Sequence, residues 1–291
     1  MSLPFLYHLL ITTIIFYILS TGFKFFLKLR LSIDFSYVAI VIFASYITAL
    51  LNMHLGRSMF ATIPIAWIGS ILFTVLILYL SKRLSQVYFI VGTLALYMLV
   101  YQLSINWVSV TGGSFGLSGI TRVLVGNFRI IGLGNFLIVA GVIGALVLVG
   151  LTLFKRTYIY AILKWRGEND TVLKVLGVRI PIYTGIMILI TSLCAVVWAN
   201  LYTYYYLYID PASFWLSMLI LLLVISFVSY KRWEWQTFVT ALLIIFGYEY
   251  LRFFKLVDPA LLGYVRESIF ALIIMITSFI TFRRTSFWRD H

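Results

Sequence analysis

The sequence predicts an all-α polytopic membrane protein, and two observations carry this prediction. Of the 291 residues, 63% are hydrophobic and only 11% are charged. Soluble domains contain about 25% charged residues, so this chain lacks the polar surface that a water-soluble fold requires. The apolar residues also occur in runs of about 20, the length that an α-helix needs to cross the hydrocarbon core of a bilayer. We therefore expect lipid to surround most of the chain.

About nine membrane-spanning helices are predicted, and eight or ten are also possible. In chain order the apolar runs lie at residues 4–22, 35–52, 61–81, 87–108, 131–154, 181–204, 214–230, 235–251 and 266–283. No segment between them has the composition of a soluble domain, so residues 1–291 are expected to form a single transmembrane domain. The longest stretches outside the runs are 109–130 and 155–180. Function is expected there, because loops carry function on a scaffold that lipid otherwise constrains.

The distribution of basic residues predicts the orientation of the chain. The formal net charge is +13, but the cations lie between the apolar runs and form no basic face, which argues against a nucleic-acid partner. With the C-terminus in the cytoplasm, sixteen of the 22 Lys and Arg residues, Lys24 among them, fall in cytoplasmic segments. Cytoplasmic loops retain Lys and Arg, so we expect a multi-pass inner (plasma) membrane protein with its N-terminus outside. Residues 155–180 are then cytoplasmic and residues 109–130 extracytoplasmic.

The residues do not support catalytic, metal or nucleotide chemistry in this chain. The single cysteine, Cys194, excludes an intrachain disulfide, and the three histidines lie far apart in the sequence, so no metal site is expected. The phosphate-binding P-loop, zinc-hydrolase and nucleophile-elbow motifs are all missing from the sequence. Carriers driven by protons or sodium place ionisable groups at mid-membrane, whereas the acidic residues here fall near predicted helix ends. A transporter of this kind is expected to take its energy from another subunit.

The extracytoplasmic stretch contains a segment rich in glycine and serine, Thr111–Ile120. Its candidate functional residues are Gly112, Gly113, Ser114, Phe115, Gly116, Ser118 and Gly119. Irregular backbone persists at membrane depth only where it packs in protein or lines a wet cavity. The segment is therefore either a lining of a solute path or a tight turn with close helix packing through small residues.

The cytoplasmic stretch predicts a short amphipathic helix between Lys164 and Val178. Polar residues that suit a helix start are followed by apolar residues at i, i+3 and i+4 and then by a glycine that suits a helix end. These residues are Glu168, Asn169 and Asp170, then Val172, Val175 and Leu176, and finally Gly177. An apolar stripe outside the membrane needs a surface to cover it, and both a groove on a partner protein and the bilayer surface fit.

A cluster of tyrosines precedes Asp210 and Pro211. Tyrosine stands at positions 202, 204–206 and 208, a density that resembles a ligand cage. Aromatic belts at the membrane interface are the commoner cause of such clusters, so the belt is the expected interpretation.

Four ordered blocks of the chain resemble the permease subunits of branched-chain amino acid ABC importers, in particular the M-type (LivM-like) subunit. The blocks are Tyr88–Ala95 with Asn106 and Trp107; Thr111–Ile120; Arg166–Asp170 with Leu176–Val178; and Tyr208–Phe214, and the basic tail Phe282–Arg284 also matches. Residues 75–220 are covered well and the ends only loosely. Four blocks in order at matching separations are far more specific than any one block.

The resemblance implies a permease bundle that forms half of a translocation path and has no cofactor of its own. It implies a second homologous permease, two cytoplasmic ATPases that bind ATP, and an extracytoplasmic solute-binding protein. It also implies that residues 164–178 form a coupling helix seated on an ATPase. The coupling residues would be Arg166, Glu168, Asn169, Asp170, Val172, Val175, Leu176 and Gly177.

Two departures from the family pattern weaken the assignment of a substrate. Where family members read like G-Y-A-G-x-x-S-x-G, this chain has Phe35–Ser45, and where they read like G-G-x-G-[ST]-x-x-G-P, it has Ser226–Thr237. Branched-chain amino acids remain the expected substrates, and urea, an amide or another small solute is the alternative. A scaffold or assembly subunit that has lost transport is a rival from another class, and a self-sufficient channel or carrier is a third.

Overall fold

A computed structural model describes residues 3–30, 33–56, 58–125, 128–130, 132–168, 170–230 and 234–250, with a few helical residues between 265 and 276. The helices in chain order are α1 (Leu3–Arg30), α2 (Ser36–Leu55), α3 (Met59–Arg83), α4 (Gln86–Asn106), α5 (Val108–Thr111), α6 (Leu133–Phe154), α7 (Tyr158–Glu168), α8 (Asp170–Val175), α9 (Ile180–Tyr206), α10 (Leu216–Val228) and α11 (Glu234–Tyr250). Four two-residue strands form two small antiparallel pairs: β1 (Leu117–Ser118) with β4 (Tyr208–Ile209), and β2 (Leu124–Val125) with β3 (Phe128–Arg129). The prediction of an all-α fold is confirmed.

Seven helices in the described part of the chain are long and apolar enough to cross a membrane. They are Leu3–Leu27, Ser36–Leu55, Met59–Arg83, Val87–Asn106, Leu133–Phe154, Ile180–Tyr206 and Pro211–Val228. Each lies on one of the first seven predicted runs. The eighth run coincides with α11, a helix of 17 residues, and the ninth, 266–283, falls largely outside the described residues.

Two helices, α1 and α9, form the centre of the bundle. Helix α1 packs against α6, α9, α10 and α11, while α9 also packs against α2 and α3. More than half of each central span is buried, compared with 28% of α3 and 22% of both α4 and α6. The buried threonines of the central helices bond back to their own helix, as Thr13 and Thr21 do to the carbonyl oxygens four residues earlier. These threonine hydroxyls therefore pack inside the bundle with an acceptor on their own helix.

The bundle has two chemically different ends. One, which we name the glycine end, carries residues 107–125 and the start of α1, where the His8 ring stacks on Tyr205 near the end of α9. The other, which we name the basic end, carries Lys82, Arg83 and Lys155, and the Lys155 ammonium lies 5.4 Å from the Phe25 ring near the end of α1. Successive spans therefore run in alternating directions, as the predicted topology requires.

The structure corrects the placement of Lys24, which the sequence predicted in a cytoplasmic loop. Helix α1 continues past the predicted end at residue 22, and Lys24 lies within it with a fully buried side chain. The Lys24 Nζ donates a hydrogen bond of 2.5 Å to Thr237 Oγ1 on α11. Buried Phe23 and Phe25 flank it, so the apolar surface continues through this turn and an acceptor on a distant helix accommodates the ammonium group. Without Lys24, fifteen of the sixteen Lys and Arg residues that were predicted in cytoplasmic segments remain there as predicted positions.

Candidate functional site

The glycine-rich segment forms a compact irregular structure at the glycine end. Helix α4 ends at Asn106, and after the short helix α5 the chain enters a left-handed conformation at Gly112 with φ 73°. A 3₁₀ turn, Gly113–Phe115, follows and leads into β1. Strand β1 then pairs with β4, so that Leu117 lies opposite Ile209. The segment is thereby fixed to the region that follows α9.

Two of the glycines are required by both conformation and space. Gly112 and Gly116 have φ values of 73° and 70°, which side-chain-bearing residues rarely adopt. A Cβ atom on Gly112 would lie 2.1 Å from the Gly116 carbonyl oxygen, and one on Gly116 would lie 2.0 Å from the Ile209 carbonyl oxygen. Backbone contacts at these distances leave no room for a methyl group. Close packing therefore accounts for both of these glycines.

The region that meets this segment consists of residues 208–217. Its own 3₁₀ turn, Pro211–Phe214, begins at Asp210, whose carboxylate accepts hydrogen bonds from the Ser213 amide and hydroxyl. Two tyrosines hold this region in place: one joins it to helix α4 of the bundle, and the other joins it to the glycine-rich segment. The Tyr97 hydroxyl donates to the Phe214 carbonyl oxygen over 2.9 Å, and the Tyr208 hydroxyl donates to the Phe115 carbonyl oxygen over 2.7 Å.

The two segments share a short sequence pattern. Residues 114–118 and 213–217 both read Ser-Phe-x-Leu-Ser, and in both copies the phenylalanine ends a 3₁₀ turn. Each copy follows a membrane-length helix that ends at the glycine end. This internal repeat is the sequence signal from which the pairing of the two segments could have been inferred.

The predicted path residues differ in what they can offer a solute. Gly113 is buried, and Gly112 and Gly116 are partly covered, so these three shape the backbone. Ser114, Phe115, Ser118 and Gly119 are exposed, and the Phe115 side chain has 86% of its surface open. Hydroxyl groups and an aromatic face are the chemistry that this end presents outside the bundle.

A buried polar cluster lies directly beneath the glycine end, and the sequence did not indicate most of it. The Asn52 amide nitrogen donates to the Tyr204 hydroxyl over 3.2 Å, and the Asn52 oxygen accepts from the Thr121 amide over 2.7 Å. Beside it, the Thr62 hydroxyl donates to the Asn200 side-chain oxygen over 2.5 Å. The cluster thus joins α2, α3 and α9 to the loop that follows the glycine-rich segment.

Replacing Asn52 with alanine is expected to lower the free energy of unfolding by about 1–3 kcal/mol. The change removes the acceptor of the Thr121 amide and one of the two side-chain partners of the Tyr204 hydroxyl, which keeps Thr62. Equilibrium unfolding in mixed micelles measures the effect. The control is Asn106→Ala, because exposed Asn106 bonds only within its own helix, to Gln102, and should cost less than about 0.5 kcal/mol. Equal losses in the two variants would contradict a structural role for the cluster.

At the basic end, the predicted coupling segment contains two short helices, α7 and α8. Helix α8 begins at Asp170, and Gly177 adopts the left-handed conformation with φ 73°. The Val178 amide then donates to the Leu173 carbonyl oxygen over 3.0 Å. The predicted short helix and its glycine end are confirmed. The predicted start is wrong in one respect, because Glu168 is the last residue of α7, and Asn169 lies outside the described residues.

The predicted apolar stripe of the coupling segment faces away from the bundle. Val172, Val175 and Leu176 are 47%, 83% and 70% exposed, whereas Leu173 is buried. Arg166 turns toward the bundle instead, since its Nη1 donates to Thr184 Oγ1 on α9 over 2.5 Å. The segment therefore presents an uncovered apolar face outside the helical bundle and is joined to a central helix by Arg166.

No group in the described ranges of the chain combines three or more His, Cys, Asp or Glu residues that could hold a metal ion. The features that the structure does bring together are a helical bundle, an irregular hydroxyl-bearing surface at one end and an uncovered helix at the other. With seven helices long and apolar enough to cross a membrane, these features are those of a multi-pass membrane protein.

A comparison with protein families makes the assignment more specific. The family model described as branched-chain amino acid transport system / permease component matches residues 5–287. The chain belongs to this family, which confirms the resemblance seen in the sequence. No curated protein and no solved structure matches the chain.

Proposed function

We propose that this chain is the transmembrane permease subunit of an ATP-driven ABC importer for branched-chain amino acids or a related small polar solute. The observation that carries the proposal is the family match over residues 5–287. The chain forms half of the translocation path, pairs with a second homologous permease and is not itself an enzyme. It binds no cofactor, because two cytoplasmic ATPases bind the ATP.

The glycine end is proposed to face the extracytoplasmic side of the inner (plasma) membrane and to receive solute from a solute-binding protein. Exposed Ser114 and Ser118 supply hydroxyl groups for a polar solute. The rigid backbone of Gly112 and Gly116 holds them in place. The basic end and the C-terminus are then cytoplasmic, which agrees with the excess of Lys and Arg on that side.

The exposed face of α8 is proposed to seat in a groove on an ATPase. Movement of the ATPases would be transmitted through Arg166 and its bond to Thr184 into α9, which lies at the centre of the bundle. A rigid-body tilt of the central helices would then alternate the path between its two ends.

A cysteine at position 114 tests the path and the orientation together. In a Cys194→Ala background, Ser114→Cys is expected to react with a membrane-impermeant cationic thiol reagent added outside cells. The attached group should then reduce ATP-dependent uptake of radiolabelled leucine at least tenfold, because a bulky cation occupies the mouth of the path.

Tyr158→Cys in the same background is the matched control, since Tyr158 is also exposed but lies on α7 at the basic end, outside the proposed ATPase contact. It should react only after the membrane is permeabilised. Labelling of Ser114→Cys from outside with undiminished uptake would remove residues 112–119 from the path. Labelling from the cytoplasmic side alone would reverse the orientation and leave the family assignment intact.

A scaffold subunit that has lost transport is the second candidate. It is motivated by the two segments that lack the glycines of the family pattern. Residues 35–45, where relatives carry glycines, lie almost entirely in the regular helix α2, whose residues there are mostly buried. Residue Ser226 lies within α10, and its hydroxyl donates to the Ser20 carbonyl oxygen over 3.4 Å. Co-purified ATPases without uptake of leucine, urea or an amide would favour the scaffold. Solute flux through the purified chain alone would favour a self-sufficient channel.

A further inference from the structure

Helix α4 has two chemically different sides. One side is buried and carries residues at helical spacing, namely Phe89, Thr93, Tyr97, Val100 and Ser104. The opposite side is exposed, and along the middle of the helix it carries the apolar residues Val91, Leu94, Ala95, Met98 and Leu99. In the two turns nearest to the glycine end, the same exposed side carries the carboxamides of Gln102 and Asn106. An exposed apolar strip therefore ends in a pair of neutral polar groups.

These two carboxamides bond only to each other within the described part of the chain. The Asn106 Nδ2 donates to the Gln102 backbone carbonyl oxygen over 2.8 Å and to Gln102 Oε1 over 3.4 Å. Asn200, in contrast, joins two helices, because its side-chain oxygen accepts from Thr62 on α3. The Gln102 amide group and the Asn106 side-chain oxygen are left without a partner among the described residues. One free donor and one free acceptor thus lie on adjacent turns.

The position of Gln102 on a membrane-spanning helix indicates what surrounds it. A carboxamide is costly to place against hydrocarbon, so on such a helix it faces water or protein. Gln102 lies in the second turn of α4 from the glycine end. In the second turn of α3 and of α6 from that end, the exposed residues are Pro64, Ile65 and Ile138. At the same distance from the glycine end, α3 and α6 present hydrocarbon side chains and α4 presents a polar one.

The polar part of α4 continues the hydroxyl-bearing surface of the glycine end. Helix α4 packs against the 3₁₀ turn Gly113–Phe115, which carries the exposed Ser114. The carboxamides therefore follow the serine hydroxyls inward along one side of the chain, and the apolar strip of α4 follows the carboxamides.

We propose that Gln102 and Asn106 line the solute path and bind the zwitterionic end of an α-amino acid. The Gln102 amide group donates to the carboxylate of the solute, and the Asn106 oxygen accepts from its ammonium group. Two neutral carboxamides satisfy both charges without adding a net charge to the path. Met98 and Leu99, one turn further in, contact the branched alkyl side chain of the solute. This inference rests on the proposed function and names the residues that would recognise the solute.

Reaction of a cysteine at position 102 tests whether this side of α4 is in water. In the Cys194→Ala background, in cells that produce the chain with its partner subunits, Gln102→Cys is expected to react with a membrane-impermeant cationic methanethiosulfonate added outside. The thiolate is the reacting form and does not persist in apolar surroundings. The rate should therefore exceed that of Ile138→Cys, the matched control on α6, by about tenfold or more. Equal rates would assign the reaction to interfacial water, and an unreactive Gln102→Cys would show that lipid or protein covers it. Either result would overturn the proposal.

Recognition of the zwitterion is tested with Gln102 intact and Leu99→Cys as the reporter. Saturating L-leucine should slow the reaction of this cysteine severalfold. The probes 3-methylbutylamine and 4-methylpentanoate have the same branched chain but carry only one of the two charges, so each should protect about tenfold less well. Adding Gln102→Leu to the reporter should abolish protection by leucine, and Gln102→Asn should preserve it. Absent protection by leucine, or equal protection by either singly charged probe, would count against recognition of the zwitterion.

Uptake distinguishes failure of this inference from failure of the proposed function. Gln102→Leu should lower ATP-dependent leucine uptake about tenfold or more, whereas Ile138→Leu should leave uptake unchanged. The melting temperature of each purified variant shows that it is folded. Normal uptake by folded Gln102→Leu would refute the role of Gln102 and leave the importer intact. If the unaltered chain supports no ATP-dependent leucine uptake, the importer is refuted, and the ratio of the two labelling rates still decides whether α4 faces water.

Discussion

Gly116→Ala is expected to destabilise the protein by about 2–5 kcal/mol and to reduce the yield of folded chain sharply. The left-handed backbone alone costs a side-chain-bearing residue about 1–2 kcal/mol. The new methyl group would also stand 2.0 Å from the Ile209 carbonyl oxygen and 2.8 Å from the Asp210 Cα. Neither atom belongs to a side chain that can rotate away, so β1 and β4 must separate. Forced overpacking of this kind adds about 1–3 kcal/mol.

Gly119→Ala separates the two contributions. Gly119 also has a positive φ, 90°, but a Cβ atom there meets nothing within 4 Å. It should therefore lose only about 1–2 kcal/mol. Equilibrium unfolding of both variants in mixed micelles gives the difference. If Gly116→Ala costs no more than Gly119→Ala, the two segments are not held together by the contact between their backbones.

The second large effect is expected from charge placed on α8. In the proposed importer, Val175→Asp combined with Leu176→Asp should reduce ATP-dependent leucine uptake at least roughly 100-fold. A carboxylate buried without a partner in an apolar groove costs about 3 kcal/mol or more, and this corresponds to a loss of about two powers of ten in affinity. Both side chains are more than two-thirds exposed in the chain itself. The folding and membrane insertion of the variant chain should therefore remain unchanged.

Two measurements are needed to interpret this variant. Co-purification with the ATPases should fail in parallel with uptake, whereas the melting temperature of the chain alone should stay within about 2 °C. Tyr158→Ser is the matched control, because Tyr158 is an exposed ring on α7 at the same end. Normal uptake by the double variant would show that α8 is not the contact with the ATPases, and the bilayer surface would then be its partner.

The membrane spans were predictable because the information that specifies them is local. A run of about 20 apolar residues requires a helix in lipid, whatever it packs against. The end of α8 was predictable for the same reason, since Gly177 supplies the left-handed residue that follows it. The exposed positions of Val175 and Leu176 also followed from helical spacing. The family emerged from four short blocks, whose order and separation are likewise visible in the chain.

The long-range contacts were not predictable in this way. The burial of Lys24 could not be predicted from its neighbours in the sequence, because the acceptor Thr237 lies on the distant helix α11. No local pattern marks Asn52 as important, although its side chain joins Tyr204 to Thr121. The meeting of β1 with β4 is likewise a product of folding, and only the repeated Ser-Phe-x-Leu-Ser pattern hints at it. The roles of the glycine-rich segment in the path and of α8 in coupling remain predictions.

The central position of α1 has a consequence for biosynthesis. This helix leaves the ribosome before the helices that pack around it, and one acceptor of its Lys24 lies 213 residues further along the chain. At about 5–20 residues per second, translation needs roughly 10–40 s to deliver that acceptor. Throughout this interval the face of α1 that packs against α11 lacks its final partner. We therefore expect α1 to be retained by the translocon until α11 arrives, and crosslinks between α1 and the translocon should persist in nascent chains truncated before residue 234.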